Sequence, residues 1–186
     1  MAYFGLSKPV IAKYDPETKT YSKGMVLPGL VGTTVTPNSV EGSLYADNNM
    51  SEHEEFFTYA TVEAEANDIP LAASAILFGH TVNEEDKSET SKSTDESGIV
   101  GYGFCQEKSV KRVKSFVACW LLQVKFAEGA DSAQTRGESL SYGTPKLSGR
   151  AYADDTNTWR EKKEFATEAE AYEWLKTKAG ITVSSS

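Results

Sequence analysis

The chain has 186 residues, of which 39% are hydrophobic, 11% aromatic and 25% charged, with a formal net charge of -8. That length fits a single domain whose core needs no covalent staples, and the composition excludes a disordered tail. No apolar run approaches the ~18 residues of a membrane span.

Two cysteines, Cys105 and Cys119, exclude a disulfide framework and suit a reducing cytoplasm. The opening Met-Ala-Tyr-Phe-Gly-Leu-Ser-Lys-Pro lacks the charged-then-apolar plan of a signal peptide, so the chain is expected to stay in the compartment where it is made. The negative charge argues against gripping nucleic acid, which relies on Lys and Arg. Charge is also uneven: residues 51–100 carry 12 acids and 2 bases, residues 101–150 carry 4 acids and 8 bases. An acidic surface of one subunit could meet a basic surface of another.

In chain order, Val31 to Thr36 is β-branched, stops at Pro37 and reads as a strand. The connection from Asn38 to Phe57 is too long for a hairpin turn and holds Leu44, Tyr45, Met50, Phe56 and Phe57, too apolar for a solvated linker. Thr58 to Asn67 alternates, with Ala60, Val62, Ala64 and Ala66 on a core face and Tyr59, Thr61, Glu63 and Glu65 on the other; Val31 to Thr36 is its expected antiparallel partner. A short apolar helix is expected from about Ile69 to Phe78, capped by Asp68, admitting Pro70 and ended by Gly79.

Residues 82–97, with six acids, two bases and one apolar residue, read as a surface loop whose contact candidates are Glu84, Glu85, Asp86, Asp95 and Glu96. Strands follow at Gly98 to Gln106, Val113 to Phe126, Pro145 to Ala153 and Trp159 to Phe165, the last two joined by an Asp154-Asp-Thr-Asn turn. Val113 to Phe126 places Phe116, Ala118, Trp120, Leu122, Val124 and Phe126 on one face and Val117, Cys119 and Leu121 on the other, so both faces need cover. The chain closes on a helix with a Thr167/Glu170 capping box, an Ala171, Trp174, Leu175 stripe and a Gly180 stop.

Chemistry is hard to find. His53 lacks the second histidine of a zinc helix, and His80, just past a helix end, is expected to face terminal carbonyls. The cysteines read as small core residues. Gly101-Tyr-Gly103 lacks the third glycine and the helix of a dinucleotide fingerprint and reads as a strand with glycine relief. Neither an enzyme nor a cofactor or metal site is expected.

Six segments in series, Gly5 to Asp15, Thr20 to Gly24, Ser43 to Asp47, Gly98 to Phe104, Trp120 to Glu128 and Thr167 to Lys176, resemble the major tail tube proteins of long, flexible, non-contractile bacteriophage tails, in the group found in phages of Gram-positive bacteria. The acidic stretch from Asn83 to Ser97 departs from that pattern. The resemblance implies a mainly β fold, an antiparallel β-sandwich or partial barrel flanked by a helix, in one domain spanning 1–186. Six copies would close a ring-shaped β-barrel, and stacked rings would form the tail tube that conducts DNA. It further implies a ring-stacking loop over about 38–57 (Ser43, Leu44, Tyr45, Asp47, Met50, Phe56, Phe57), lumen-facing Glu63 and Glu65, and an intersubunit strand with Phe116, Trp120, Leu121 and Phe126. The implied partners are further copies of the chain, the tape measure protein, terminator and tail-tip proteins, and DNA passing without specific binding; assembly would occur in the host cytoplasm and the product reside in the virion tail. Alternatives are a tail terminator, a secretion-type tube protein, or a carbohydrate-binding β-sandwich with Trp159 as its platform.

Overall fold

The computed structural model describes residues 2–46, 49–110, 113–129 and 145–181. In chain order these form β1 (Ala2–Asp15), β2 (Thr20–Val26), β3 (Leu30–Ala46), β4 (Asn49–Ala66), α1 (Leu71–Phe78), β5 (Thr81–Asn83), β6 (Ser88–Thr90), β7 (Ile99–Val110), β8 (Val113–Glu128), β9 (Lys146–Tyr152), β10 (Arg160–Phe165) and α2 (Glu168–Lys178). The chain is mainly β and its strand pairings are antiparallel. The large sheet runs β2-β1-β7-β8-β9-β4-β3, with β10 joined to β8, and β5 and β6 form a separate ribbon. Ile11 of β1 shares a core with Val62 and Ala64 of β4 although three strands lie between them, so the sheet curls over on itself.

The curl is organised by β8. Its residues 116–121 pair with β10, whereas residues 123–128 on the same edge pair with β9. Val100 pairs with Val124 but Tyr102 pairs with Leu121, so β8 gains one residue over β7 where it changes partner. That extra residue is a β-bulge, and it reverses which side chains face which layer. Phe116, Ala118, Trp120 and Leu122 pack with α2, whereas Cys119, Leu121, Val124 and Phe126 belong to the larger core. The single face expected from Phe116 to Phe126 is therefore divided at the bulge, because strict alternation holds only while the ladder keeps its register. Both covers of β8 come from its own chain. Trp120, Leu121 and Phe126 are enclosed within the subunit, where β8 is paired with β7 over residues 113–125 and with β10 and β9 over 116–121 and 123–128.

The helices settle the two sides. Thr167 accepts from the Glu170 backbone N–H while Glu170 reaches back to the Thr167 N–H, which completes the expected capping box, and Ala171 and Leu175 are buried against β8 and β7. Helix α1 starts at Leu71 with Pro70 at its N-cap and no side-chain cap, so Asp68 does not serve there. Gly79 ends it with φ 78°, a left-handed conformation that glycine adopts without cost.

Strands β1 and β2 escaped the sequence reading. Val10, Ile11 and Ala12 are all fully buried because β1 is covered on both faces, and register shifts interrupt it twice against β7, so no period-two signal survives. Strand β3 continues through Pro37, where the sequence suggested a stop. An edge strand needs N–H donors on one side only, so proline there costs no ladder bond.

Glycine relief at Gly101 is borne out: an added Cβ would lie 2.2 Å from Trp120 Cζ2 and 2.7 Å from Tyr21 Cε1. Gly101→Ala is expected to overpack this site and lower stability by about 1–3 kcal/mol, read as a lower urea midpoint at unchanged slope. An unaltered midpoint would contradict the close packing of Trp120 over β7.

Candidate assembly interface

The connection from Asn38 to Phe57 is not a loop. It is the outer half of a β3–β4 hairpin whose register runs from Leu30 opposite Ala66 to Ala46 opposite Asn49. Shifts at Asn38/Ser39 and Leu44/Tyr45 break the alternation, which hid the strands from a periodicity reading. Ser43, Leu44, Tyr45 and Met50 lie on these two strands, and Asp47 lies outside the described residues. Val40 and Phe56 are directly opposite one another and each is 62% exposed, an apolar pair facing solvent on the hairpin arm.

Strand β3 is laddered only to β4. Alternate residues of β4 from Ala60 to Ala66 are buried, yet among the side chains described on β3 none is; Leu30 and Val35 face the core and stay half-buried. An edge of 17 residues is long beside the ~5–6 of an ordinary strand, and such edges are templates for pairing with another chain. Val31, 54% exposed, adds to the apolar surface of this edge strand.

Phe57 turns the other way from Phe56 and stacks on Trp159, with ring centroids 4.9 Å apart and planes 14° apart. The Arg160 guanidinium lies 4.3 Å from the same ring. These contacts hold the hairpin base to the entry of β10 and take up Trp159, the tryptophan considered as a carbohydrate platform.

Glu63 and Glu65 share the outward sheet face, as their alternation required, but that face is not purely acidic. Glu65 pairs with Lys146 at 3.0 Å, and Thr61, Arg150 and Lys125 lie side by side across β4, β9 and β8. Arg150 packs over the Tyr59 ring at 4.7 Å. A shallow groove of about 500 Å³ runs between these residues, lined by Tyr59, Thr61, Lys125, Ser148, Arg150 and Tyr152. The bases come from β8 and β9, strands distant from β4 in sequence.

The acidic segment is built rather than loose. Residues 81–90 form the β5–β6 ribbon, with Asn83 and Asp86 accepting from backbone N–H groups two residues on, and Asp95 accepts from the Lys92 N–H. Glu84, Glu85, Asp86 and Glu96 are exposed on it, while Asp95 is half-buried.

His80 does not face helix carbonyls. Its Nδ1 meets the Ser74 hydroxyl at 3.1 Å and the Glu89 carboxylate, and its Nε2 lies 3.6 Å from Glu128. These are the residue types of a nucleophilic triad, but the Ser74 hydroxyl donates to Glu89, which crowds the same ring nitrogen, and Glu128 stands 3.6 Å from the other nitrogen, beyond hydrogen-bond distance. Among the described residues no group of three or more His, Cys, Asp or Glu is arranged to hold a metal ion, and no helix is long and apolar enough to cross a membrane. In comparisons with known proteins, no protein-family model and no curated protein matches the chain.

Cys105 packs in the α2 layer and Cys119 in the larger core, on opposite sides of the sheet. Burial pushes each thiol up to about 11. Because the thiolate is the nucleophile, the folded protein should react slowly with a thiol reagent near about pH 8, and denaturant should release both groups. Fast stoichiometric labelling of the native protein would contradict this packing.

Proposed function

We propose that this chain is a structural tube protein, copies of which join edge to edge into hexameric rings that stack into a hollow phage-tail conduit for DNA. The observation that carries the reading is β3, whose unpaired edge and half-buried core-facing residues are left for a neighbouring chain to complete. Closure of a sheet into a ring removes such edges altogether, whereas a soluble monomer must blunt them. The β3–β4 hairpin arm, bearing the Val40–Phe56 pair, is the ring-stacking element. Burying two large apolar side chains contributes about 1.5–3 kcal/mol each at full burial, enough to decide assembly when repeated around a ring.

The outward face with Glu63 and Glu65 lines the channel in this reading. Its mixed charge, with Lys125 and Arg150 beside the carboxylates, limits net attraction for phosphates, so DNA passes without being held. Terminator, tape measure and tail-tip proteins are the further partners. A terminator remains the second reading, since it would use the same edge; a terminator stops at one ring, whereas a tube protein grows.

Negative-stain microscopy of the purified chain tests the proposal directly, with long hollow filaments expected. Val40→Asp together with Phe56→Asp should raise the concentration needed for filaments by roughly tenfold or more, leaving folded subunits or single rings. Filaments at the parental concentration would remove the arm from the account. Glu63→Lys with Glu65→Lys should still form tubes, which then retain duplex DNA at low salt and release it as salt rises. Tubes that ignore DNA as the parent does would show that this face does not line the channel.

A further inference from the structure

Lys125 of β8 and Arg150 of β9 stand directly opposite one another in the ladder, and both are exposed. Like charges in that cross-strand position repel. Nothing relieves them within the subunit: among the described residues no carboxylate lies within ion-pair distance of either cation. What Arg150 has instead is the Tyr59 ring, 4.7 Å from its guanidinium.

The groove around this pair is the reverse of the chain as a whole. The sequence carries 27 acids against 19 bases. Yet no residue lining the groove of about 500 Å³ is acidic, and its polar side chains are the two cations and hydroxyls such as those of Thr61, Ser148 and Tyr152. Thr61 Oγ1 already accepts from Asn38 Nδ2 at 3.0 Å, which leaves its own proton to donate. Thr61, Arg150 and Lys125 fall in one row across three strands, so their donors converge on one side of the sheet.

A lining made of donors, two of them charged, calls for an anion. A carboxylate would be satisfied by the Arg150 fork alone. A row that adds an ammonium on one side and a hydroxyl on the other suits an oxyanion with more acceptor oxygens, and the guanidinium fork matches phosphate as well as carboxylate.

We propose that Lys125, Arg150, Thr61 and Ser148 form a seat for a backbone phosphate of duplex DNA. The choice of DNA as the source of that phosphate rests on the conduit reading, in which this face lines the channel and the duplex passes each copy in turn. A phosphate between the two cations replaces their mutual repulsion with attraction to both. Glu63 lies one row along, opposite Ser148, and opposes the anion. The seat is therefore weak, and a passing backbone is met and released. Sequence plays no part, because contacts to phosphate carry no base information.

The chain carrying Val40→Asp and Phe56→Asp, both outside the groove, supplies subunits for nuclear magnetic resonance. A short duplex added at low salt should shift the amides of residues 61, 125, 148 and 150 in fast exchange, with an affinity weaker than the ~10⁻⁴–10⁻⁶ M of ordinary non-specific DNA binding. Lys125→Gln and Arg150→Gln should each lower the log–log salt slope by about one, and together weaken binding by roughly tenfold or more. Both positions are exposed, and removing either charge relieves the repulsion, so these variants should keep or raise the parental urea midpoint.

Inorganic phosphate and a peptide of residues 82–97 are the competitors. Shifts centred elsewhere, or unchanged in the double variant, would overturn the seat. Phosphate ion bound as tightly as the duplex would make this a site for the free ion, and a tighter peptide would make it a contact between copies; either result overturns the assignment to DNA. Since subunits suffice, the outcome is separable from tube formation. Filaments whose groove ignores duplex remove the seat alone, whereas a groove that binds duplex in a chain unable to form filaments removes the tube alone.

Discussion

Every backbone N–H and C=O taken from water needs a partner, and that requirement explains most of what this chain does with its strands. Strand β8 meets it along most of its length by pairing with β7 along one edge and dividing the other between β10 and β9. The bulge at the change of partner is the device that lets one strand serve two layers. It sends Trp120 toward α2 and Phe126 toward the larger core. With β8 satisfied inside the subunit, the unmet requirement moves to the sheet margin, and β3 is where it is longest.

The same bookkeeping separates surfaces that are finished from those that are not. On the α2 side, the capping box, the buried Ala171 and Leu175, and the Tyr21 hydroxyl donating to the Leu122 carbonyl at 2.9 Å leave a closed layer. Tyr102, wholly buried, donates to Thr33 at 3.1 Å, and Thr33 donates on to the Glu63 carbonyl, so the interior reaches the edge strand through a polar relay. Burial raises the Tyr102 hydroxyl's pKa, which keeps it a donor throughout the working pH range. The hairpin arm beyond Phe57 has no such closure: its Val40–Phe56 pair faces water.

What was legible in the sequence follows from how regular each element is. The Ala60 to Ala66 alternation, the Thr167 capping box and the Asp154 turn obey local rules and appear where those rules put them. Strand β1 and the outer hairpin did not, because bulges and two-sided burial erase the period of two. The division of β8 depends on which strands pair with it, a fact that no local window contains. The cations beside Glu63 and Glu65 and the carboxylates around His80 were hidden for the same reason: Lys146, Arg150 and Glu128 reach those places only through sheet topology.

The direct measurement of the central claim is hydrogen exchange of the β3 amides in dilute and concentrated protein. If β3 is completed by a sibling chain, its outward N–H groups exchange rapidly in the dilute subunit and become protected as particles grow, while β8 amides stay protected throughout. Outward β3 amides that exchange equally fast in both states, or that are already protected in a lone subunit, would contradict the account.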